Sequence, residues 1–330
     1  MLKIIQNIDF KATNKQFLKQ LSKDMDIIKK DKKLLVPADK TTNFYKLKPD
    51  QYQQLMNKSI HKDYKKAPTT LENSITTEDK NIAANLDLSE RIDKTAQNQA
   101  FITLKDHKPN FNNNPTCRLI NPCKSEIGKI SKITLERINS KIIKTTKLNQ
   151  WKNTTDVISW YKNVQDKQNL SFICFDICEF YPSITENLLK KALTFASRYD
   201  DISEHEKHTI LHAKTSMLYN ANTPWCKRGR SHFDVTMGSY DGAETCELIG
   251  LYILSQLQHL DLNIGLYRDD GLALCRKTPR QAELIKKEIC KVFSENNLRV
   301  TIEANKKTVD FLDITMDLRS GIYKPFIDRK

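Results

Sequence analysis

Two adjacent aspartates set between apolar runs constrain this chain more than any other feature. The stretch Ile264-Gly-Leu-Tyr-Arg-Asp-Asp-Gly-Leu-Ala-Leu274 reads as a β-hairpin, with apolar strands flanking a tight turn that Gly271 closes. Asp269 and Asp270 then stand at its tip. Upstream, Phe172-Ile-Cys-Phe-Asp-Ile177 is another strand-like run, and Asp176 lies near its end. Carboxylates delivered to neighbouring strand ends can converge, and three such oxygen donors can hold a pair of Mg²⁺ ions, with Mn²⁺ as an alternative. Packed together without metal they would repel and raise one another's pKa, which argues against a purely structural role.

The 330 residues are enough to bury a real core, and they predict two subdomains or one large domain with insertions. The formal charge of +14 is unevenly spread. Residues 1–70 carry 16 lysines against 7 acids, and residues 101–170 carry 13 basic against 5 acidic residues, whereas residues 171–330 hold 22 of each sign. A basic first half ahead of a neutral half with the carboxylates suits a polyanionic partner, although a solvated lysine-rich surface would have the same composition. Eight cysteines without a CxxC pair predict free thiols in a reducing compartment. No apolar run reaches the length of a membrane span and the N-terminus lacks the apolar core of a signal peptide, so a soluble intracellular protein of the nucleus or cytoplasm, with no membrane partner, is expected.

Along the chain, residues 1–35 alternate lysines and apolar positions at helical spacing, a basic extension. A short strand is expected at Asn43–Leu47, polar helix-prone sequence from 50 to 100, and a hairpin pairing Phe101–Lys105 with Cys117–Ile120. A helix follows from 125 to 145. Ser183-Ile-Thr-Glu186 reads as a capping box opening a helix to Tyr199. Further helices are expected at 243–258 and, behind Thr278-Pro279, at 279–296. Strands at 299–303 and 309–316 complete the pattern. Strand, helix, helix, hairpin, helix, strand winds into an antiparallel sheet with helices on one face, an α+β, split βαβ plan.

Several motifs in collinear order resemble those of reverse transcriptases, and among them those of Penelope-like retroelements. Leu104-Lys-Asp-His-Lys-Pro109 and Cys117-Arg-Leu-Ile-Asn-Pro122 are similar to the two fingers strands, and Phe175-Asp-Ile-Cys-Glu-Phe-Tyr-Pro-Ser-Ile184 to the first palm motif. Thr236-Met-Gly-Ser-Tyr-Asp-Gly-Ala-Glu244 resembles the template-grip motif, Tyr267-Arg-Asp-Asp270 the YxDD box, and Phe311-Leu-Asp-Ile314 the primer-grip strand. The resemblance implies fingers at 36–170, a palm at 171–318, and at 319–330 the start of a thumb that is truncated or absent. It implies an RNA-directed DNA polymerase that takes an RNA template, a DNA primer and dNTPs, with two Mg²⁺ ions as cofactors.

Carried over residue by residue, the resemblance makes Asp176 and Asp269 the principal metal ligands and Asp270 the accompanying acid. Arg118, with Lys105 or Lys108, would bind the incoming triphosphate. Tyr181 matches the aromatic gate that excludes a 2′-hydroxyl; its bland reading is a core aromatic. Gly238 and Ser239 would lie against the new base pair, and Lys306 or Lys307 would protonate the leaving pyrophosphate. The chain departs from the pattern at Ser-Tyr-Asp-Gly, where Ser-Pro is common, and at Arg268, where small or apolar residues are usual. A chain that stops at Lys330 is expected to be a piece of a longer polyprotein. Two other readings stand beside the leading one: an inactive retroelement remnant that binds nucleic acid through basic fingers, and an RNA-dependent RNA polymerase, which Tyr181 disfavours. The histidines 205, 208 and 212 share a helical face but lack cysteine partners for zinc. Trp151, Trp160 and Tyr161 are read as core aromatics more readily than as base-stacking platforms. Nothing in the sequence sets an oligomeric state.

Overall fold

The computed structural model describes residues 15–30, 32–91, 98–229 and 232–326. The start of the expected N-terminal extension (1–14) and residues 327–330 lie outside the described residues. The chain divides into two compact units, residues 1–63 with 101–119, and residues 64–100 with 120–330. Residues 64–100 and 120–170, which the sequence grouped with the fingers, therefore pack in the unit that holds the carboxylates.

The elements run from helix α1 (Lys15–Lys30) through the antiparallel hairpin β1 (Leu34–Pro37) and β2 (Phe44–Leu47) to α2 (Pro49–Asp63). Next come β3 (Tyr64–Lys66), α3 (Thr69–Asn85), and the two-stranded sheet of β4 (Phe101–Leu104) and β5 (Cys117–Ile120). Helix α4 (Glu126–Thr146) leads to β6 (Asn149–Gln150), α5 (Thr154–Lys162), β7 (Ser171–Ile177), a single turn α6 (Phe180–Ser183), α7 (Glu186–Ala196) and α8 (Glu204–His212). Strands β8 (Leu218–Asn220) and β9 (Thr223–Lys227) precede α9 (Gly242–Leu257) and the hairpin β10 (Asn263–Tyr267) and β11 (Asp270–Cys275). Helix α10 (Pro279–Glu295), β12 (Val300–Lys306), β13 (Thr308–Phe311), β14 (Ile314–Asp317) and β15 (Ile322–Pro325) follow.

In the first unit, Val36, Met56, Ile60, Ile102 and Leu104 are buried, and Ala38 bridges to Leu104. The second unit is built on a five-stranded sheet in the order β12-β7-β11-β10-β6. Its pairs are antiparallel except β10 with the two-residue β6. Strand side chains alternate between faces, and the alternation in β7 sorts two cores. Ile173, Phe175 and Ile177 point into a large core with α4, α7, α8, α9 and α10. Phe172, with Leu272 and Leu274 of β11, points the other way into a smaller core with Val157, Tyr161, Val309 and Phe311. Helices thus cover one whole face as the pattern implied, and α5 with the β13–β15 sheet covers part of the other.

Three local expectations need correction. Helix α7 is capped by Thr185, whose hydroxyl accepts from Leu188 N at 3.2 Å; Ser183 instead ends α6 and donates to Cys178 O. Residues 309–316 are two strands, folded back at Leu312 with φ +53. Strand β3, which pairs with β9, falls in sequence read only as helix-prone. By contrast, α10 begins as read, with Thr278 and Gln281 forming a capping box and Pro279 in the first turn. No helix among the described residues is long and apolar enough to cross a membrane.

Candidate active site

Strands β7 and β11 lie side by side with Asp270 directly opposite Asp176. Opposed residues of an antiparallel pair share a face with Cβ atoms about 5 Å apart, so the two carboxylates rise together on the face away from the large helical core. Asp269 occupies the two-residue turn between Tyr267 and Asp270, and its carbonyl accepts from Ile177 N at 2.9 Å. The turn is therefore bonded to the strand that carries Asp176. Asp176 is exposed, and Asp269 and Asp270 are half-buried. Among the described residues no group of three His, Cys, Asp or Glu side chains already stands close enough to hold a metal. The three carboxylates are hard oxygen donors, a set that suits a hard divalent cation.

The glycine of Asp-Asp-Gly has a different reason from the one the sequence suggested. The turn residue with positive φ is Arg268, at +52, while Gly271 sits in the strand opposite Phe175. A Cβ on Gly271 would come within 2.0 Å of the Phe175 ring. The glycine makes room for the aromatic that anchors β7 in the helical core. Arg268 itself is exposed, its guanidinium 5.5 Å from the Tyr267 ring centroid.

Tyr181 follows Glu179, which turns the chain at φ +49, and packs half-buried against the large core. Its phenol lies within electrostatic reach of the buried Cys246 thiol. Burial, then the neighbouring thiol, push the phenol pKa up; Arg268 pulls it down and Asp269 adds to the rise. Tyr181 thus packs against the core within electrostatic reach of Arg268 and Asp269. Gly238 takes φ +111, and a Cβ there would meet Asn121 O at 2.9 Å, so that bare backbone is required by residue 121 of the same chain. Ser239 Oγ donates to Thr236 O at 3.1 Å.

Lys306 is not brought to the carboxylates. It lies opposite Phe172, whereas Thr301 lies opposite Asp176, a separation of four residues along β7, or roughly 13 Å. It pairs instead with Glu303 at 2.9 Å, and Lys307 donates to Gln168 O and Leu170 O. The cation at the carboxylate end of β12 is Arg299, which sequence reading missed. Its carbonyl accepts from Cys178 N, and its guanidinium, 75% exposed, pairs with Glu179 at 3.1 Å. The signal was available, because a strand antiparallel to β7 must begin where β7 ends.

The remaining candidates belong to the first unit. Arg118 pairs at 3.1 Å with Asp39, whose side chain is 6% exposed. Lys105 is close by, its pKa lowered by burial and then by the Arg118 charge. Lys108 is exposed in the turn after β4, its N–H donating to Lys105 O. Other polar groups serve structure. His208 and His212 meet Glu78 and Asp79 at 2.7 and 2.8 Å. Trp151 fills the space over Gly265, and Tyr161 donates to Asp317 O at 2.8 Å.

No family model matches the chain, and no curated protein does. Solved structures match it in fold. Apo telomerase from Candida Tropicalis superposes with a TM-score of 0.64 at 10% identity, over 90% of this chain and 56% of that one. Telomerase from Candida albicans in complex with a TWJ fragment of telomeric RNA gives 0.60 at 12%, over 89% and 54%. The RNA-dependent RNA polymerase of a human picobirnavirus gives 0.51 at 10%, over 93% and 72%. The chain thus spans about half the length of these telomerases. Its fold is the one shared by these telomerase and RNA-dependent RNA polymerase structures.

Proposed function

We propose that the chain is an RNA-directed DNA polymerase of a Penelope-like retroelement, extending a DNA primer on an RNA template. The observation that carries this reading is the register that sets Asp270 against Asp176 with Asp269 in the adjoining turn. Asp176 and Asp269, with Asp270 beside them, would hold the Mg²⁺ pair, which when bound stabilises charge on the attacking and leaving oxygens. In the reaction a primer 3′-oxygen bonds to the α-phosphorus of a dNTP as the bond to pyrophosphate breaks. Arg118 offers a planar donor fork to the triphosphate, with Lys105 or Lys108 beside it, and sharing Arg118 with Asp39 keeps the fork oriented before substrate arrives. Tyr181 is the sugar gate, its ring denying space to a 2′-hydroxyl. The backbone at Gly238 and Ser239 lies against the new pair. Arg299, rather than Lys306, is the cation suited to the departing pyrophosphate, since it immediately precedes β12 at the end where Asp176 stands.

The test is primer extension on a DNA-primed RNA template with dNTPs and Mg²⁺, comparing the chain with its Asp269→Ala/Asp270→Ala variant. Extension by the first and none by the second is expected. Template binding by both without extension by either would favour the other reading, an inactive remnant that binds nucleic acid through its basic segment.

A further inference from the structure

The loop from Thr236 to Gly242 rests on an ion pair hidden from the linear sequence. Lys214 is 1% exposed and Asp241 0%, and Lys214 Nζ donates to Asp241 Oδ2. Both backbones are fixed. Lys214 N donates to Leu211 O at the end of α8, and Lys214 O accepts from Asp234 N. Asp241 O accepts from both the N–H and the hydroxyl of Thr245, closing the first turn of α9. The other carboxylate oxygen of Asp241 and the hydroxyl of Thr236 are buried with no partner. A buried pair of this kind is a poor source of stability, because well-packed apolar residues of the same volume do as well or better. Its presence needs another reason.

That reason lies one residue further on. A Cβ on Gly242 would meet Thr236 O at 2.8 Å, Ser239 Oγ at 2.9 Å and Tyr181 Cε1 at 3.3 Å. The backbone of Gly242 is thus a wall for the Tyr181 ring, which packs against the large core that Cys246, one turn along the same helix, helps to form. The ring edge takes its position from the first turn of α9, and Lys214 fixes where that helix begins. On the outer side Tyr240 is held by Lys129 and Lys124, at 5.3 and 5.9 Å from its ring centroid. The Ser-Tyr-Asp-Gly sequence that departs from the family pattern supplies both anchors.

We infer that Lys214 and Asp241 form a positioning pair that seats the Tyr181 ring and so determines how strictly the site rejects ribonucleotides. The inference rests on the polymerase reading above. Without the pair the start of α9 relaxes, the ring gains room to retreat, and a 2′-hydroxyl is admitted; the chemistry at the carboxylates is untouched.

The test compares kcat/KM for a dNTP with that for the matching rNTP, alongside the melting temperature of each protein. Lys214→Met/Asp241→Asn removes both charges at similar volume, leaving no lone buried ion. Its dNTP preference should fall about tenfold, the scale of a single pocket interaction. In a Tyr181→Ala background the same double substitution should leave the ratio unchanged, because the two changes act through one ring. Gly242→Ala, which keeps the ion pair, should press on the ring from behind and raise KM for the dNTP more than it lowers kcat, with no gain in ribonucleotide use. An unchanged ratio in the double variant and an unchanged KM in Gly242→Ala, with only the melting temperature lowered, would overturn the inference and leave the polymerase reading standing. A parent chain that extends with neither substrate would overturn that reading and the inference with it.

Discussion

Gly271 illustrates how far one residue can be read without its neighbours. In the sequence Asp-Asp-Gly is a turn signal; in the structure the turn falls on Arg268 and Asp269, and the glycine is needed because the Phe175 ring crosses it. Only the pairing of β11 with β7 brings residues 271 and 175 together, and no local pattern contains that fact. Gly271→Ala should therefore cost about 1–3 kcal/mol through overpacking, measurable as a lower urea midpoint. Phe175→Leu added to the same chain should recover part of the loss. An unshifted midpoint in Gly271→Ala would mean that the ring does not lie over the glycine. The three aspartates were legible because each sits in a strand or turn with a complete local signature. The placements of Lys214 and Arg299 were not, since one depends on a buried partner and the other on where β12 starts relative to β7.

Elements were legible in proportion to how much of their signal is local. Helix α10 carries its own apolar periodicity and its own cap, and α9 is a nearly continuous apolar run long enough to read as a buried helix. Strand β3 has only three residues and exists because β9 pairs with it. The fold-back between β13 and β14 turns at a leucine, where no glycine announces it. In the first unit the hairpins β1–β2 and β4–β5 are followed or joined by polar loops tied through one carboxylate. Asp106 accepts from Thr41 Oγ1 at 2.6 Å and from Asn43 Nδ2 and Tyr45 Oη at 3.0 Å. These bonds, that from Thr41 the largest, hold its pKa below the usual carboxylate value, against a smaller opposing effect of burial. Because the folded pKa is the lower one, the contribution is complete above the unfolded value of about 3.9 and is lost as pH falls through the folded value. Hydrogen exchange of residues 38–47 should thus accelerate as the pH drops below about 4, beyond the intrinsic pH effect, and Asp106→Asn should abolish that acid limb. If the variant kept the same acid limb, the loops would be held by something else.

At the scale of the whole molecule, charge is the property that would, on the polymerase reading, separate gripping a nucleic acid from acting on it. The excess of +14 lies in the first half of the chain, and residues 171–330, which contain the three aspartates, are balanced. A polymerase must grip a polyanion without regard to its sequence, and phosphate contacts do this by releasing counterions, so that the logarithm of affinity falls linearly with that of salt. If Lys105, Lys108 and Arg118 also contact template phosphates, replacing all three by Gln should flatten the salt dependence of binding to a primed RNA template, whereas their role on the triphosphate should show as a raised KM for the dNTP. Each phosphate no longer neutralised should reduce the slope by roughly 0.7 to 0.9. Asp269→Ala/Asp270→Ala should leave the slope as steep as before while extension is abolished, because it removes negative charge from the half that does not carry the basic excess. The two variants therefore distinguish binding from chemistry. A slope unmoved by the triple substitution would mean that these cations do not contact the template backbone; it would leave their role on the incoming triphosphate, which KM for the dNTP reads, and the case for the aspartates intact.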